Sequence, residues 1–477
     1  MKIDIDAYNN HYHQSGKFID KFQEGIKLIP FDSRNASAFD KNCSLQGTTG
    51  EFFRLWANDG TKSIESFSES AETPVKDYLV NSRQMPSLQA NEFVRMMKDI
   101  MVVNGNLNVT NTNFLKYLPL VPNDERISTR ERSMYKDGQK KLSNYVYSML
   151  SLDVDFTSTG KSKDLFTKIL EEALSSSVGH QEKRTEGEYY IINYIRDSFN
   201  EDFTWLMSQE ETVKVKYLHL FFYFYACYSV TQAIVNINSK SENVTNSPKP
   251  FFFILSNEKA SINHDAITRG WTHIIPTKSL DRLYGKSQAL DIINCILGNN
   301  IGFYSDVIHK LNETSFDDNK ESCVELIELY QAEKRKVLEG RNSERYILES
   351  FGEIDTEVNS YEDFYNKLEK LCIGLQSPSY TSRMRKKVID LLSVRFLQNR
   401  KRSGYVLTLD NEMLTFLIAL FTKSKKTKLE DMYKLFNSYG IHFNRGSRIA
   451  IEEYLLKLNL LDRKSDSGEA QYVTVIL

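Results

Sequence analysis

Twenty consecutive residues near the middle of the chain, YLHLFFYFYACYSVTQAIVN from Tyr217 to Asn236, carry no formal charge. A run of that length either crosses a bilayer or lies inside a protein, buried on most sides. Its polar residues decide between the two. His219, Ser229, Thr231 and Gln232 interrupt it, and its tyrosines are spread through the middle, whereas membrane tyrosines gather at the two interfaces. The sequence therefore predicts a core helix in a soluble protein without membrane contact. A chain of 477 residues is long enough to build such a core and to divide into two to four packed units. With only 21 Gly and 9 Pro it lacks the punctuation an all-β fold needs at every turn, so the expected class is mainly α.

The net charge of -2 supplies no global field toward nucleic acid, so any such contact must come from a local patch. Cys43, Cys227, Cys295, Cys323 and Cys372 are odd in number and far apart, with no CxxC spacing, which points to a reducing compartment. The opening MKIDIDAYNNHYHQSGKF has no apolar core and two early aspartates, unlike a secretory or transit peptide. A cytoplasmic location is the expectation, and sequons such as Asn108-Val-Thr110 are then chance matches.

Composition shifts divide the chain into four. Residues 1–130 mix short apolar runs with Asn, Ser and Gly and read as irregular with some helix. Residues 131–238 form a helical domain: helical spacing runs from Arg132 to Leu150 and from Lys163 to Leu174, followed by the aromatic helical region from Tyr189 to Ile237. The segment SKSENVTNSPKP, Ser239 to Pro250, marks a boundary, and FFFIL after it is short enough to be a buried strand. Residues 250–375 are mainly helical, a further boundary falls at Gln376 to Ser382, and residues 383–477 close the chain.

The last seventy residues carry their own start and stop signals. Asp410 can cap a helix from Asn411 to Thr422, and Thr427-Lys-Leu-Glu430 reads as a capping box for a second that stops at Gly440. Ser447 can cap a third through Leu460, and Asp466-Ser-Gly468 turns a hairpin between Leu461–Ser465 and Tyr472–Leu477. Three helices and a terminal hairpin predict a winged-helix-like module. Its candidate DNA-binding residues are Arg445 and Arg448 at the start of the third helix and Arg463 and Lys464 on the wing. Glu452 and Glu453 on the same helix oppose that role, so protein docking stands beside it. Just upstream, TSRMRKKVIDLLSVRFLQNRKRSGY predicts a basic amphipathic helix. Arg383, Arg385, Lys386, Lys387, Arg400, Lys401 and Arg402 there are candidates for the phosphate backbone of double-stranded DNA, or for a solvated face paired with acidic loops.

No catalytic motif is complete. Gly160-Lys161-Ser162 and Gly285-Lys286-Ser287 resemble the end of a phosphate-binding loop, but the required glycine five residues earlier is Asp155 or Leu280. His11-Tyr-His13 has no cysteine or carboxylate cluster within sequence reach, and a mobile terminus is expected there. Neither a metal site nor a cofactor is expected.

FYACYSVTQ, SNEKAS (Ser256 to Ser261), RGW (Arg269 to Trp271), RSGYVLTLDNEML and LNLLDRKSDSGEAQYV together resemble the DptG family, the G subunit of bacterial phosphorothioation-dependent DNA restriction systems. The likeness runs from about Tyr217 to the C-terminus and is strongest over Arg402 to Met413 and Leu458 to Val473. It implies a non-catalytic scaffold or DNA-engaging adaptor whose F and H partner subunits supply ATP-driven attack on DNA lacking the sulfur mark. The competing functions are a stand-alone winged-helix regulator and a nuclease with an unrecognised site.

Overall fold

A computed structural model gives the architecture. The described residues are 3–19, 28–31, 45–58, 61–64, 71–103, 106–107, 109–122, 124, 126–151, 165–177, 189–240, 247–258, 266, 268–298, 301–463 and 471–476. They are mainly helical. The N-terminal half holds α1 (Ile5–Tyr12), α2 (Gln46–Ala57), α3 (Thr73–Arg83), α4 (Ser87–Met101), α5 (Thr129–Tyr147), α6 (Leu165–Ser177), α7 (Asn193–Met207) and α8 (Glu211–Ile237). Two short hairpins accompany them, β1 (His13–Gln14) with β2 (Lys17–Phe18), and β3 (Val102–Val103) with β4 (Asn106–Leu107).

The uncharged run is α8, and 94% of its most apolar window is buried inside the protein. Phe52 of α2 and Phe199 and Phe203 of α7 stack with Phe221 and Phe222 of α8, so aromatic rings from three helices meet in one cluster. The aromatic helical region consists of two helices: α7 ends at the Ser208 cap and α8 starts after Glu210. The polar residues that weighed against a membrane are used internally. Ser229 meets the Tyr145 hydroxyl at 2.7 Å, and Gln232 holds the backbone of Lys249 from both its amide nitrogen and its carbonyl, each at 2.9 Å.

After β5 (Phe251–Leu255) come α9 (Trp271–Ile274), α10 (Thr277–Leu297), α11 (Tyr304–Leu311), α12 (Lys320–Glu339), α13 (Arg345–Phe351), α14 (Tyr361–Gly374) and α15 (Pro378–Leu392). α10 is a second core helix, buried on every side from Leu283 to Asn294 although it carries Lys286, Ser287, Gln288, Asp291 and Asn294. It contains the second Gly-Lys-Ser triplet, well inside the helix rather than in a phosphate-cradling loop. A Cβ on Gly285 would lie 2.6 Å from the Cys372 carbonyl oxygen, so this glycine sets how closely α10 and α14 approach. Lys286 donates to the Ile237 carbonyl at 3.3 Å and lies 3.6 Å from Glu369. The first triplet, Gly160 to Ser162, lies outside the described residues.

The expectation of a mobile N-terminus is overturned. α1 packs on α10, the Asp4 amide donates to Ile296 O and the Ile3 amide to Asn319 Oδ1. His11 Nε2 lies 3.3 Å from Asp291, His13 Nε2 2.5 Å from Glu333, and the Tyr8 and Tyr12 hydroxyls donate to the same two carboxylates. These acids are some 280 and 320 residues away in sequence, out of reach of any local motif. They remain two separate histidine–carboxylate pairs, and no cluster of three potential metal ligands forms among the described residues.

The C-terminal region holds β6 (Leu397–Asn399), β7 (Tyr405–Leu409), α16 (Asn411–Thr422), β8 (Thr427–Lys428), α17 (Leu429–Ser438), β9 (Ile441–Phe443), α18 (Arg445–Lys457), β10 (Leu461–Arg463) and β11 (Gln471–Val473). FFFIL is a buried strand, as its length suggested, and lies in a sheet of order β6-β7-β5-β9. It is parallel to β7 (Ile254 opposite Thr408) and to β9 (Phe252 opposite His442), while β6 and β7 are antiparallel. Residues 250–375 and 383–477 thus share one sheet. A second sheet, β10-β11-β8, is antiparallel throughout.

Asp410 caps α16 as expected, accepting from the Met413 amide at 2.8 Å. Gly440 has φ +73° after α17, and a Cβ there would also strike the Lys249 carbonyl at 2.6 Å, so both conformation and space require glycine. Two caps differ from expectation. Thr427 lies in β8 opposite Val473 and its hydroxyl donates to Lys425 O, so no capping box forms. α18 is capped by Asn444, whose side chain accepts from the Ser447 amide at 2.8 Å, and the helix ends at Lys457 rather than Leu460.

Candidate nucleic-acid interface

The basic stretch folds as α15 followed by the β6–β7 turn, and its apolar face is the one the spacing predicts, with Met384, Val388, Leu391, Leu392 and Phe396 buried. Its cations divide sharply. Lys387 is buried on the inner side of α15. Arg385 pairs with Asp281 at 2.6 Å, and Arg383 lies over the Tyr380 ring, 5.8 Å from its centroid, with Arg341 over the same ring at 5.9 Å. Arg395 bridges Asp410 and Glu412, both at 2.9 Å, and Arg400 donates to the Ser256 carbonyl at 2.6 Å. Lys386 on α15 and Lys401 and Arg402 in the β6–β7 turn are the exposed members of the stretch. Half of a helix that reads as a phosphate track therefore works as internal pairing. Asp281 and Ser256 come from other elements, so sequence spacing could not identify them, whereas Tyr380 lies one turn before Arg383 on α15 itself.

In the last seventy residues Arg445 is exposed at the first position of α18. Arg448 is half-buried, stacked 4.5 Å over Tyr433 and 3.6 Å from Glu430. Arg463 lies on β10, and Lys464 falls outside the described residues, as does the expected Asp466-Ser-Gly468 turn. The start of α18 is not an open anion site: the Ser447 hydroxyl, itself buried, meets a Glu258 carboxylate oxygen at 3.2 Å. His442, on the neighbouring strand, has its pKa lowered by burial and by the Arg448 charge, which favours a neutral imidazole.

One basic group was passed over at the sequence level. KSKKTK, Lys423 to Lys428, forms the link between α16 and α17 and places Lys425 and Lys428 at the surface beside the β8-β11 pairing. Lys426 pairs with Asp462 on β10 at 2.5 Å and lies 5.6 Å from the Tyr472 ring centroid on β11. The cue was a run of four lysines in six residues, obscured by treating the segment as a capping signal.

Lys423 turns the other way. Its ammonium meets Asp202 of α7, a carboxylate with no exposed surface that also accepts from the Tyr225 hydroxyl at 2.6 Å and the Tyr439 hydroxyl at 2.9 Å. This junction pins α16 and α17 to the aromatic core. Burial pushes the Asp202 carboxyl above its usual range, against the opposing pull of the Lys423 charge and the phenol hydrogen bonds. Beside it, between α8 and the β6-β7-β5-β9 sheet, is an apolar cavity of about 30 Å³ lined by Phe224, Tyr228, Phe253, Phe396 and Tyr439, a packing void at water scale rather than a ligand pocket.

No known protein-family model matches the chain, and no curated protein matches it either.

Proposed function

We propose that the chain is a non-catalytic, cytoplasmic subunit of a bacterial phosphorothioation-dependent DNA restriction complex. In that role it is an adaptor that engages double-stranded DNA and holds the F and H partner subunits, which supply the ATP-driven work of antiphage defence. The observation that carries it is the C-terminal arrangement. Helix, strand, helix, helix and hairpin, with the first strand paired to the last, are compatible with a winged-helix order, although β9 between the second and third helices pairs with β5 outside the module, and lysines lie at and beside that first strand. The helical body agrees with a scaffold role: Gly285-Lys286-Ser287 is committed to packing between α10 and α14.

DNA contact in this scheme runs through phosphates at Lys386, Lys401, Arg402, Lys425 and Lys428, with Arg445 and Arg463 at the edges of the module. Reversing Lys401, Arg402, Lys425 and Lys428 to glutamate tests it. Every phosphate that the protein no longer neutralises makes the negative slope of log binding constant against log salt shallower by about 0.9, equally for all sequences. An unchanged slope with a folded variant removes the DNA role. Arg385 and Lys387 are unsuitable for this test because the one is paired and the other buried, so their reversal would perturb the fold.

A further inference from the structure

We infer that the outward face of α18 docks a basic amphipathic helix of a partner protein instead of lying against DNA. The inward side of this helix is Ser447, Ile451 and Leu455, all buried. Facing out are Ile449, 49% exposed, and Leu456, 36% exposed. They stand seven residues, two helical turns, apart, about 10.5 Å along the axis. Glu452 and Glu453 lie between them. Beyond the helix end Leu458, 45% exposed, and Val475, 56% exposed, are further apolar side chains at the surface of the module. Val475 follows Thr474, whose amide donates to the Leu460 carbonyl.

A duplex laid on this face would press its phosphates toward Glu452 and Glu453, with Glu258 a third carboxylate at the helix start. Arg448, which could have offset them, is turned back onto Tyr433 and Glu430. Apolar anchors two turns apart with acids between them match a helix presenting two apolar residues at the same spacing and Lys or Arg between, the helix-against-helix mode of recognition. DNA contact and partner docking then occupy different parts of the same module, the lysines beside β8 and Arg445 at the first position of α18 for one and the Ile449–Leu456 face for the other. The inference goes beyond the adaptor reading and rests on it only for the existence of a stable protein partner.

The test places the photo-cross-linking residue p-benzoylphenylalanine at Ile449, or at Leu456, in the full chain expressed in its native cells. Irradiation is followed by purification and mass spectrometry of adducts and of co-purifying proteins. The expected result is an adduct to one co-purifying protein, mapped to a helix with apolar residues two turns apart and basic residues between. The double change of the half-buried Glu452 and the exposed Glu453 to lysine, Glu452→Lys with Glu453→Lys, should reduce its yield about tenfold, because like charges then meet across the interface. A nuclease-sensitive adduct, or no adduct at either position while a partner still co-purifies, overturns the inference and leaves the adaptor reading standing. Purification of the chain without any partner overturns both.

Discussion

Asp202 offers the sharpest perturbation, because one carboxylate without solvent exposure joins α7, α8, α16 and α17 through Tyr225, Tyr439 and Lys423. Asp202→Ala removes the acceptor from all three. The Tyr225 hydroxyl is then left buried, and the one carboxylate still near Lys423 among the described residues is the exposed Glu201, 3.6 Å away. Breaking one side of a buried, hydrogen-bonded ion pair costs about 3–5 kcal/mol, and this variant should fall in that range. Asp202→Asn keeps an oxygen for the phenols and no longer buries a carboxylate, so its loss should be only about 1 kcal/mol. Lys423→Met should cost about 3 kcal/mol in the native background but far less when combined with Asp202→Asn, a coupling measurable in a double-mutant cycle.

The pH dependence follows from the raised carboxyl pKa. A group whose pKa is higher in the folded state contributes stability that is full below its unfolded value and is lost as pH rises through the folded one. Asp202→Asn should therefore compare most favourably with the native chain at pH 8 and least favourably at pH 4. Urea unfolding followed by circular dichroism supplies the free energies. Trp205, whose ring centroid is 5.8 Å from Lys423 Nζ, gives a local fluorescence signal. An alanine variant within about 0.5 kcal/mol of the native chain, where ordinary surface changes fall, or an asparagine variant as damaging as alanine, refutes the junction as described.

Other expectations follow from close packing and charge. Gly285→Ala forces α10 and α14 apart against the Cys372 carbonyl and should destabilise by about 1–3 kcal/mol, read as a lower urea midpoint; an unchanged midpoint would show that the helices can separate freely. His442, its pKa lowered by burial and Arg448, contributes stability above about pH 6.5 that is lost as pH falls through its lower folded value. His442→Gln should narrow the stability gap between pH 7.5 and pH 5, and an identical gap would place the acid sensitivity elsewhere.

Local signals were legible where the residues that decide an element lie within it. α8 announced itself by twenty uncharged residues, β5 by a five-residue apolar run between Pro250 and Ser256, α16 by Asp410, and the end of α17 by Gly440. α10 was legible as helix but not as core, since Lys286, Gln288 and Asp291 break the apolar pattern and are accommodated only because Glu369, Gln376 and Tyr12 meet them. The candidate interface was half legible for the same reason. The basic stretch from Arg383 to Arg402 stood out and the lysines of Lys423 to Lys428 did not, and whether a given cation faces solvent or a partner depends on residues such as Asp281 and Asp202, far away in the chain. Thr427 shows the converse case, a sequence pattern with a valid local use that strand pairing with Val473 displaces.

The parallel pairing of β5 with β9 also sets a timetable. β5 leaves the ribosome close to 190 residues before the strand that covers one of its edges, and β7, on the other edge, emerges only some 150 residues later. At about 5–20 residues per second that interval lasts roughly 10–40 s. For most of it the aromatic face of α8 that Phe396, Phe416 and Phe421 will cover, and both edges of β5, stand open in the nascent chain, and the β9 edge stays open to its end. The protein completes its core only as its last quarter is made, so slowing translation beyond Pro250 should lengthen its dependence on chaperones, and early termination should yield aggregate rather than a shortened soluble body.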